Sequence, residues 1–556
     1  MFETVLPLSL YQPIAMREMQ MDEVDYVIVG AGSAGCVMAN RLSANGRHRV
    51  LLLEAGGNDA RMWIKVPVGY AMTFADPKLN WGYVTESDAG LSGRSIYWPR
   101  GRVIGGCSSI NAMAYVRGQP GDFDDWAAAG ATGWDWAAVQ DTYDRMETRA
   151  MAASQAEPSG DGPVWVQDLS DQMHPFSQTF LRAGRSAGFS LIDDMNRPGT
   201  EGLGFYRSTV RRGVRWSSAD AFLRPATRRD NLRVVTRAHV TRLEFDGAQV
   251  SGLAYMQGTR PRRVRARREV ILCAGAINSP QILQLSGIGP ADLLKARGIE
   301  VRRDLAHVGH GLQDHLAVSY QFRARVPTLN SLLGGPLGRL RAALRYALTR
   351  KGALSVPVNQ VGGFVRSTPQ QGAPDVQLFC NPASYEINGA GKVVLDRQPG
   401  YLLSAQPCRP TSRGHVRIAS ASWRDAPVIQ PNSLATEGDR DAAVRASKVI
   451  RDLARTPQLQ EVTTEAKCPE FDTMDDDALL EAFRSRASTV YHPSCTCRMG
   501  HDPRDSVLNA RLQVHGVPGL RVVDASAFPN ITSGNINAPT MMLALRAADM
   551  VLQDAG

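Results

Sequence analysis

The sequence predicts an α/β protein organised on a Rossmann-like βαβ unit, and three observations carry that prediction. Asp25 to Glu54 runs from a short apolar stretch, Tyr26 to Val29, through Gly30-x-Gly32-x-x-Gly35 and a helical pattern closed by Asn45-Gly46, into a second apolar stretch, Val50 to Leu53. At 556 residues the chain is too long for one core and implies roughly two to four domain-sized units. Its 43% hydrophobic and 21% charged residues are those of an ordinary globular protein, with no run of about 18 apolar residues to span a membrane.

Each glycine of the first unit has its own task. Gly30 permits the tight turn, Gly32 lets a pyrophosphate approach the backbone, and Gly35 lets the helix pack closely on the strand. Ser33 and Ala34 open that helix, whose free N–H groups and positive dipole end face the phosphates. Glu54 ends the second strand, where an acid accepts hydrogen bonds from the ribose hydroxyls and repels the 2′-phosphate of NADP. An ordinary βαβ turn explains the glycines but not the agreement of strand, helix, second strand and terminal acid. The fingerprint alone does not separate FAD from NAD.

Residues 1–20 carry Glu3 ahead of a short apolar piece, Pro7 and Pro13 within it, and no basic start. That is a poor signal peptide, so an extension is expected, with Met21 as a candidate start. Eight scattered cysteines in a chain of this size read as reduced and cytoplasmic, not disulfide-framed. His492-x-x-Cys495-x-Cys497 fits no common zinc spacing, and no metal is expected. The net charge of +9 comes with arginine clusters at 207–215 and 260–268. Since no nucleic-acid module accompanies them, they are expected in solvated loops, without a nucleic-acid partner.

Periodicity is lost from Ala55 to Ser95 while aromatics recur at Trp63, Tyr70, Phe74, Trp81 and Tyr83, an excursion expected to act as a lid or interface arm. Gly105-Gly106-Cys107-Ser108-Ser109 then forms a loop of little bulk and many N–H groups, suited to a flat ring or a pyrophosphate. A helix-like Asn111 to Val116 follows.

These residues resemble the glucose-methanol-choline oxidoreductases, an FAD-dependent family, along nearly the whole chain. The anchors are GAGSAG with Glu54; Gly101 to Asn111; Gly275 to Gly289; and the regions of His492 and Asn535. The resemblance implies a Rossmann-like FAD domain interleaved with a discontinuous substrate domain built on an antiparallel sheet. After the extension, the FAD domain is expected at 21–160, with the excursion at 55–95, then at 226–315 and 484–556; the substrate domain is expected at 161–225 and 316–483. Contacts to noncovalent FAD are implied for Gly30, Gly32, Ser33, Ala34, Gly35, Glu54, Ala55, Arg102, Val103, Gly106, Asn111, Ala112, Val240, Asp524, Ala525, Asn535 and Asn537.

Between the anchors, Trp126 to Glu147 is helix-compatible and Met151 to Gly162 reads as a linker. Short strands are expected at Leu232 to Val235, Val240 to Phe245, Val250 to Tyr255, Val264 to Ala266 and Glu269 to Cys273, followed by a helix starting at Ser279-Pro280. Leu337, Leu340, Leu344 and Leu348 recur at helical spacing among Arg339, Arg341, Arg345, Arg350 and Lys351. Such a helix either caps the substrate domain with a solvated basic edge, the expected reading, or makes peripheral membrane contact.

By the same resemblance, His492 is the base that takes the hydroxyl proton of an alcohol, and Asn535, after Phe528-Pro529, is its partner, with Asn537 as the nearby competitor. Reaction is then expected to fail as pH drops through about 6 to 7, the ordinary imidazole range. Leu520 to Val523 is a strand running into Asp524 and Ala525, and Met541 to Leu552 a helix. Three positions depart from the family pattern. Cys107 replaces Ser or Gly; Ile110 stands where some relatives carry a histidine bonded covalently to FAD; and Gln360 stands where many choline dehydrogenases have Glu. The expected activity is FAD-dependent oxidation of a primary, uncharged alcohol, with electrons passing to a quinone or other acceptor. An oxidase, a choline dehydrogenase and a flavin-containing lyase are the rival readings.

Overall fold

The computed structural model describes residues 22–152, 157–387 and 393–556; the expected extension and part of the expected linker lie outside the described residues. Strand β1 (Asp22–Val29), helix α1 (Ser33–Leu42) and strand β2 (Val50–Glu54) form the βαβ unit. The strands are parallel, Val27 opposite Leu51, and β2 is buried along its whole length, as a strand covered on both faces must be. Leu232–Thr236 flanks β2, and β3 (Arg260–Leu272) flanks β1, with Leu520–Val522 parallel to the end of β3.

The two short strands expected at 264–266 and 269–273 are one strand, β3. Arg267 and Arg268 interrupt the apolar pattern without a turn, because β3 changes partners along its length. Its first residues ladder antiparallel to Gln249–Gln257, and its last run parallel to Leu520–Val522. The arginines of 260–268 are therefore exposed along a strand, where Arg263 meets Glu244 and Arg267 meets Asp25. The other cluster departs further from solvated loops: Arg207 and Arg215 are buried. Arg215 donates to the carbonyls of Ile64 and Ser108 and to Asn111 Oδ1, underpinning the Gly105-Gly106 loop.

Helix α2 (Gly275–Leu285) starts earlier than expected and contains Pro280 in its interior. A proline there removes the N–H that would serve the carbonyl of Ala276. The hydroxyl of Thr496 donates to that carbonyl instead, at 2.7 Å. Residues 111–116 are not helical: Met113 has φ 60° and its N–H donates to Asn111 Oδ1, closing a turn.

The second large sheet is antiparallel throughout, in the order Thr463–Ala466, Leu316–Ala324, Gly400–Pro407, Val376–Asn381, Val361–Val365, Gly202–Phe205. Its core includes Val318, Leu378 and Leu403 with Ala443, Ala446 and Ile450 of the helix Glu437–Ala454. Helix α3 (Pro336–Thr349) does not cap this sheet with its leucines. Tyr346 is its one buried residue, and all four leucines are exposed. Among the described residues no helix is long and apolar enough to cross a membrane.

Candidate active site

A cavity of about 1120 Å³ is lined by residues from both large sheets. That exceeds the roughly 300–1,000 Å³ of a drug-sized ligand site. One end is the glycine cradle. Gly30 has φ +98°, and a Cβ there would lie 2.6 Å from the Cys273 carbonyl oxygen. Gly106 (φ +51°) would bring a Cβ to 2.7 Å from Gly32 Cα, so the two glycine loops touch backbone to backbone, and Gly105 N–H donates to Ala31 O at 2.7 Å. Only glycines allow this approach, which leaves room for a phosphate group above it. Gly35 serves packing: its Cβ would meet Gly30 O at 1.8 Å.

Glu54 is buried, with one oxygen accepting the N–H of Ala31 at 2.9 Å and the other that of Gly56 at 2.7 Å. Desolvation pushes its pKa up to about 7 against those bonds. Ser33 donates to Asn537 Oδ1 at 2.7 Å, tying the start of α1 to the start of the C-terminal helix, Asn537–Asp554. Asp524 accepts from Gly275 N–H, Ser279 and Ser526, which fixes the end of Leu520–Val522 against α2.

Of the residues expected at the cofactor, Gly30, Gly32, Ser33, Ala34, Glu54, Ala55, Gly106, Asn111, Ala112, Val240, Asp524, Ala525, Asn535 and Asn537 line the cavity. Gly35, Arg102 and Val103 do not. Val103 is buried with Ile64 and Leu79, and the Arg102 guanidinium lies over the Trp81 ring. The cradle, the carboxylate at the end of β2 and the two helix N-termini fit a dinucleotide of the FAD type. The excursion supplies Trp63, Tyr70, Phe74 and Trp81 to the lining.

At the other end, His492 and Asn535 meet, Nε2 to Nδ2, at 3.3 Å. His492 Nδ1 lies 3.0 Å from His315 Nδ1, and His315 Nε2 lies 2.8 Å from the Cys408 carbonyl. A carbonyl only accepts, so His315 carries its proton on Nε2, its Nδ1 is a lone pair, and His492 must hold its proton on Nδ1. The opposite side gives the same answer. The Tyr206 hydroxyl donates to Leu378 O, so it accepts from Gln377 Nε2, which also donates to Asn535 Oδ1. Asn535 thus turns its amide nitrogen toward His492, whose Nε2 is left unprotonated at the cavity wall and accepts from that amide.

The backbone of His492 is pinned as well. Its N–H donates to Asp314 Oδ1 at 2.7 Å, and Arg100 Nη2 donates to Tyr491 O at 2.7 Å, with Tyr491 at φ 70°. Burial, the His315 ring and the Arg100 guanidinium hold His492 well below the usual imidazole pKa; burial brings His315 down to about 4. The titration expected at about 6 to 7 is therefore moved down. Burial pushes Asp314 up to about 7. Asn537, bonded to Ser33, is not the partner of His492.

Sequence reasoning missed His315, Gln377, Tyr206 and Arg100. The first two carried a signal: His315 follows Gln313-Asp314 at the entry to an apolar strand, and Gln377 interrupts Val376–Cys380 at a buried position. Gln360, which stands where many choline dehydrogenases have Glu, does not line the cavity and is buried, its oxygen accepting from His174 N–H and Ser177. Among the described residues the carboxylates lining the cavity are Glu54 and Asp524, both at the dinucleotide end.

The chain is 40% identical over 533 residues to "Alcohol dehydrogenase [acceptor]" of Pseudomonas putida, covering 95% of this chain and 96% of that one. It is 40% identical over 539 residues to the mitochondrial choline dehydrogenase of Homo sapiens, covering 95% and 90%. Among solved structures, pyridoxine 4-oxidase from Mesorbium loti superposes with a TM-score of 0.84 at 31% identity, over 95% of this chain and 99% of that one. A formate oxidase of Aspergillus oryzae RIB40, studied for its FAD modification, superposes with a TM-score of 0.88 at 26% identity, over 96% and 98%. The GMC oxidoreductase family's N-terminal model matches residues 24–317 and its C-terminal model residues 410–544, and the chain belongs to that family.

Proposed function

We propose that the protein oxidises a neutral primary alcohol to an aldehyde, with His492 Nε2 taking the hydroxyl proton and the electrons leaving to a quinone or another acceptor than oxygen. FAD, held without a covalent bond at the glycine cradle, supplies the two-electron acceptor for the hydride. The observation that carries the reading is the doubly fixed tautomer of His492, which leaves Nε2 unprotonated at the cavity wall beside an amide donor. A substrate hydroxyl that replaces the bond between the two side chains donates to Nε2 and accepts from Asn535 Nδ2, which stabilises negative charge as the proton leaves. His492 stays neutral for this task because burial and two neighbours disfavour its cation. The domain alternation expected from the sequence, FAD segments at 21–160, 226–315 and 484–556, is part of the same proposal.

Neutral substrates are favoured because the substrate end is lined by groups such as Phe379, Tyr385, Leu402 and Tyr491, without a carboxylate among the described residues. Among the described residues a choline-like cation finds no carboxylate counter-charge there. Anaerobic addition of benzyl alcohol should bleach the bound flavin, and loss of bleaching in a folded, FAD-replete His492→Ala variant completes the test. A flavin left oxidised by every simple primary alcohol overturns the proposal. The likeness to pyridoxine 4-oxidase and formate oxidase favours one second reading, an oxidase; stoichiometric peroxide in air at a rate matching that with dyes would select it.

A further inference from the structure

Helix α3 leaves an apolar stripe uncovered. Leu337, Leu340, Leu344 and Leu348 are 59, 56, 54 and 84% exposed. At 3.6 residues per turn the four share one face, and Tyr346, the helix's buried contact with the body, falls on the opposite pole. Leu332, on the preceding short helix, is likewise exposed, at 47%. Single exposed leucines need no explanation, but a contiguous row does.

The row adjoins the mouth of the cavity. Arg339 and Ala343, on the flank of α3 next to Tyr346, line the cavity and are exposed, as are Trp63, Met72 and Val394. Leu354, just past the helix, accepts a hydrogen bond from Val68 in the excursion, which brings these segments to one edge.

Charge identifies the occupant. Between Asp314 and Asp375 the chain carries no acidic residue, while Arg341 and Arg345 lie on α3 beside the leucines and Lys351 follows it. A second copy of the chain would set this basic face against itself in a two-fold interface, which like charges oppose. Leucines flanked by long basic side chains suit a bilayer with anionic headgroups, the stripe entering the acyl boundary and the guanidinium groups reaching the phosphates. We propose that α3 docks the protein on an anionic membrane surface, with the cavity mouth at the lipid boundary.

The test is sedimentation of the FAD-loaded full chain with vesicles of phosphatidylcholine mixed with phosphatidylglycerol, and with pure phosphatidylcholine. The mixed vesicles should bind it, less so in high salt. The triple variant Leu340→Gln, Leu344→Gln, Leu348→Gln should lower the partition coefficient by about tenfold or more. Arg341→Gln with Arg345→Gln should weaken binding to the mixed vesicles only. Both variants should keep the lipid-free, dye-linked rate, which shows that they are folded. Wild-type protein that fails to sediment with the mixed vesicles overturns the proposal whatever the variants do. So does binding that survives the triple variant but is lost on removal of residues 1–20. A lipid-free dimer that the triple variant dissolves, with no vesicle binding by the wild type, assigns the stripe to a second copy instead.

Discussion

Replacing His315 by leucine removes the acceptor that holds the proton on His492 Nδ1. His492 is buried, and an N–H left there without a partner costs about 1–3 kcal/mol. The ring escapes that cost by moving its proton to Nε2, which abolishes the lone pair at the cavity wall. At about 1.4 kcal/mol per factor of ten, the accepting tautomer falls by roughly 5- to 150-fold. Asn535 opposes the move because its amide nitrogen faces Nε2, so the single variant should lie at the low end of that range. Adding Gln377→Leu, which frees Asn535 to turn, should then cost more than the product of the two single effects. His315→Asn, which restores an acceptor near the Nδ1 position and a donor beside it, should recover much of the rate. The assay is anaerobic stopped-flow reduction of the flavin by benzyl alcohol. Removing the His315 ring, which lowers the His492 pKa, should also move the acid limb of the pH profile upward. A folded, FAD-replete His315→Leu variant with a wild-type rate and an unmoved acid limb would show that the tautomer is set by something other than His315.

For the wild type, protonation removes the accepting lone pair, so reduction should fall on the acid side. Because burial, His315 and Arg100 lower the His492 pKa, the inflection should lie below 6.5 and the rate should be level through neutral pH; a limb centred above 7 would contradict the neutral, buried base. His492→Ala should lower the reduction rate by about 10²–10⁴, and Asn535→Ala by about 10²–10³, each with FAD retained, as flavin absorbance of the purified variants will show. Acid precipitation should release the flavin into the supernatant, since Ile110 offers no bonding side chain at the cavity wall; yellow protein in the pellet would refute noncovalent binding. Benzyl and medium-chain alcohols should show a higher kcat/KM than choline, and the opposite order would place a cation site that the lining residues do not suggest.

The βαβ unit was legible because its information is local: strand, glycines, helix and acid follow one another within a few turns of chain. The cradle that Gly30, Gly32 and Gly106 form is likewise a property of backbone freedom, which glycine announces in any sequence. His492 and Asn535 were picked out by motif, but what holds the two side chains side by side was not legible. That reason lies in His315, Gln377 and Tyr206, brought to the pair by the antiparallel sheet from separate strands and loops. Gln360 misled because its position next to Val361–Val365 says nothing of which way its side chain turns. The single long strand β3 was split in the reading because a change of pairing partner looks, in sequence, like a loss of pattern.

The bond from Thr496 to the Ala276 carbonyl, left open by Pro280, has a consequence for the order in which the protein becomes competent. The segment that carries His492 is docked onto α2 by this bond, and onto the turn after Leu520–Val522 by backbone bonds from Cys495, Cys497 and Met499 to Ala525, Ser526 and Ala527. All of those partners are distant in sequence or near its C-terminal end, and contacts of such separation form late. Gly30 and Gly32 are made early, but His492 is set in place only when the last strand and helix have formed. Truncation near the C-terminus should therefore leave a chain able to begin folding around the dinucleotide but unable to oxidise an alcohol.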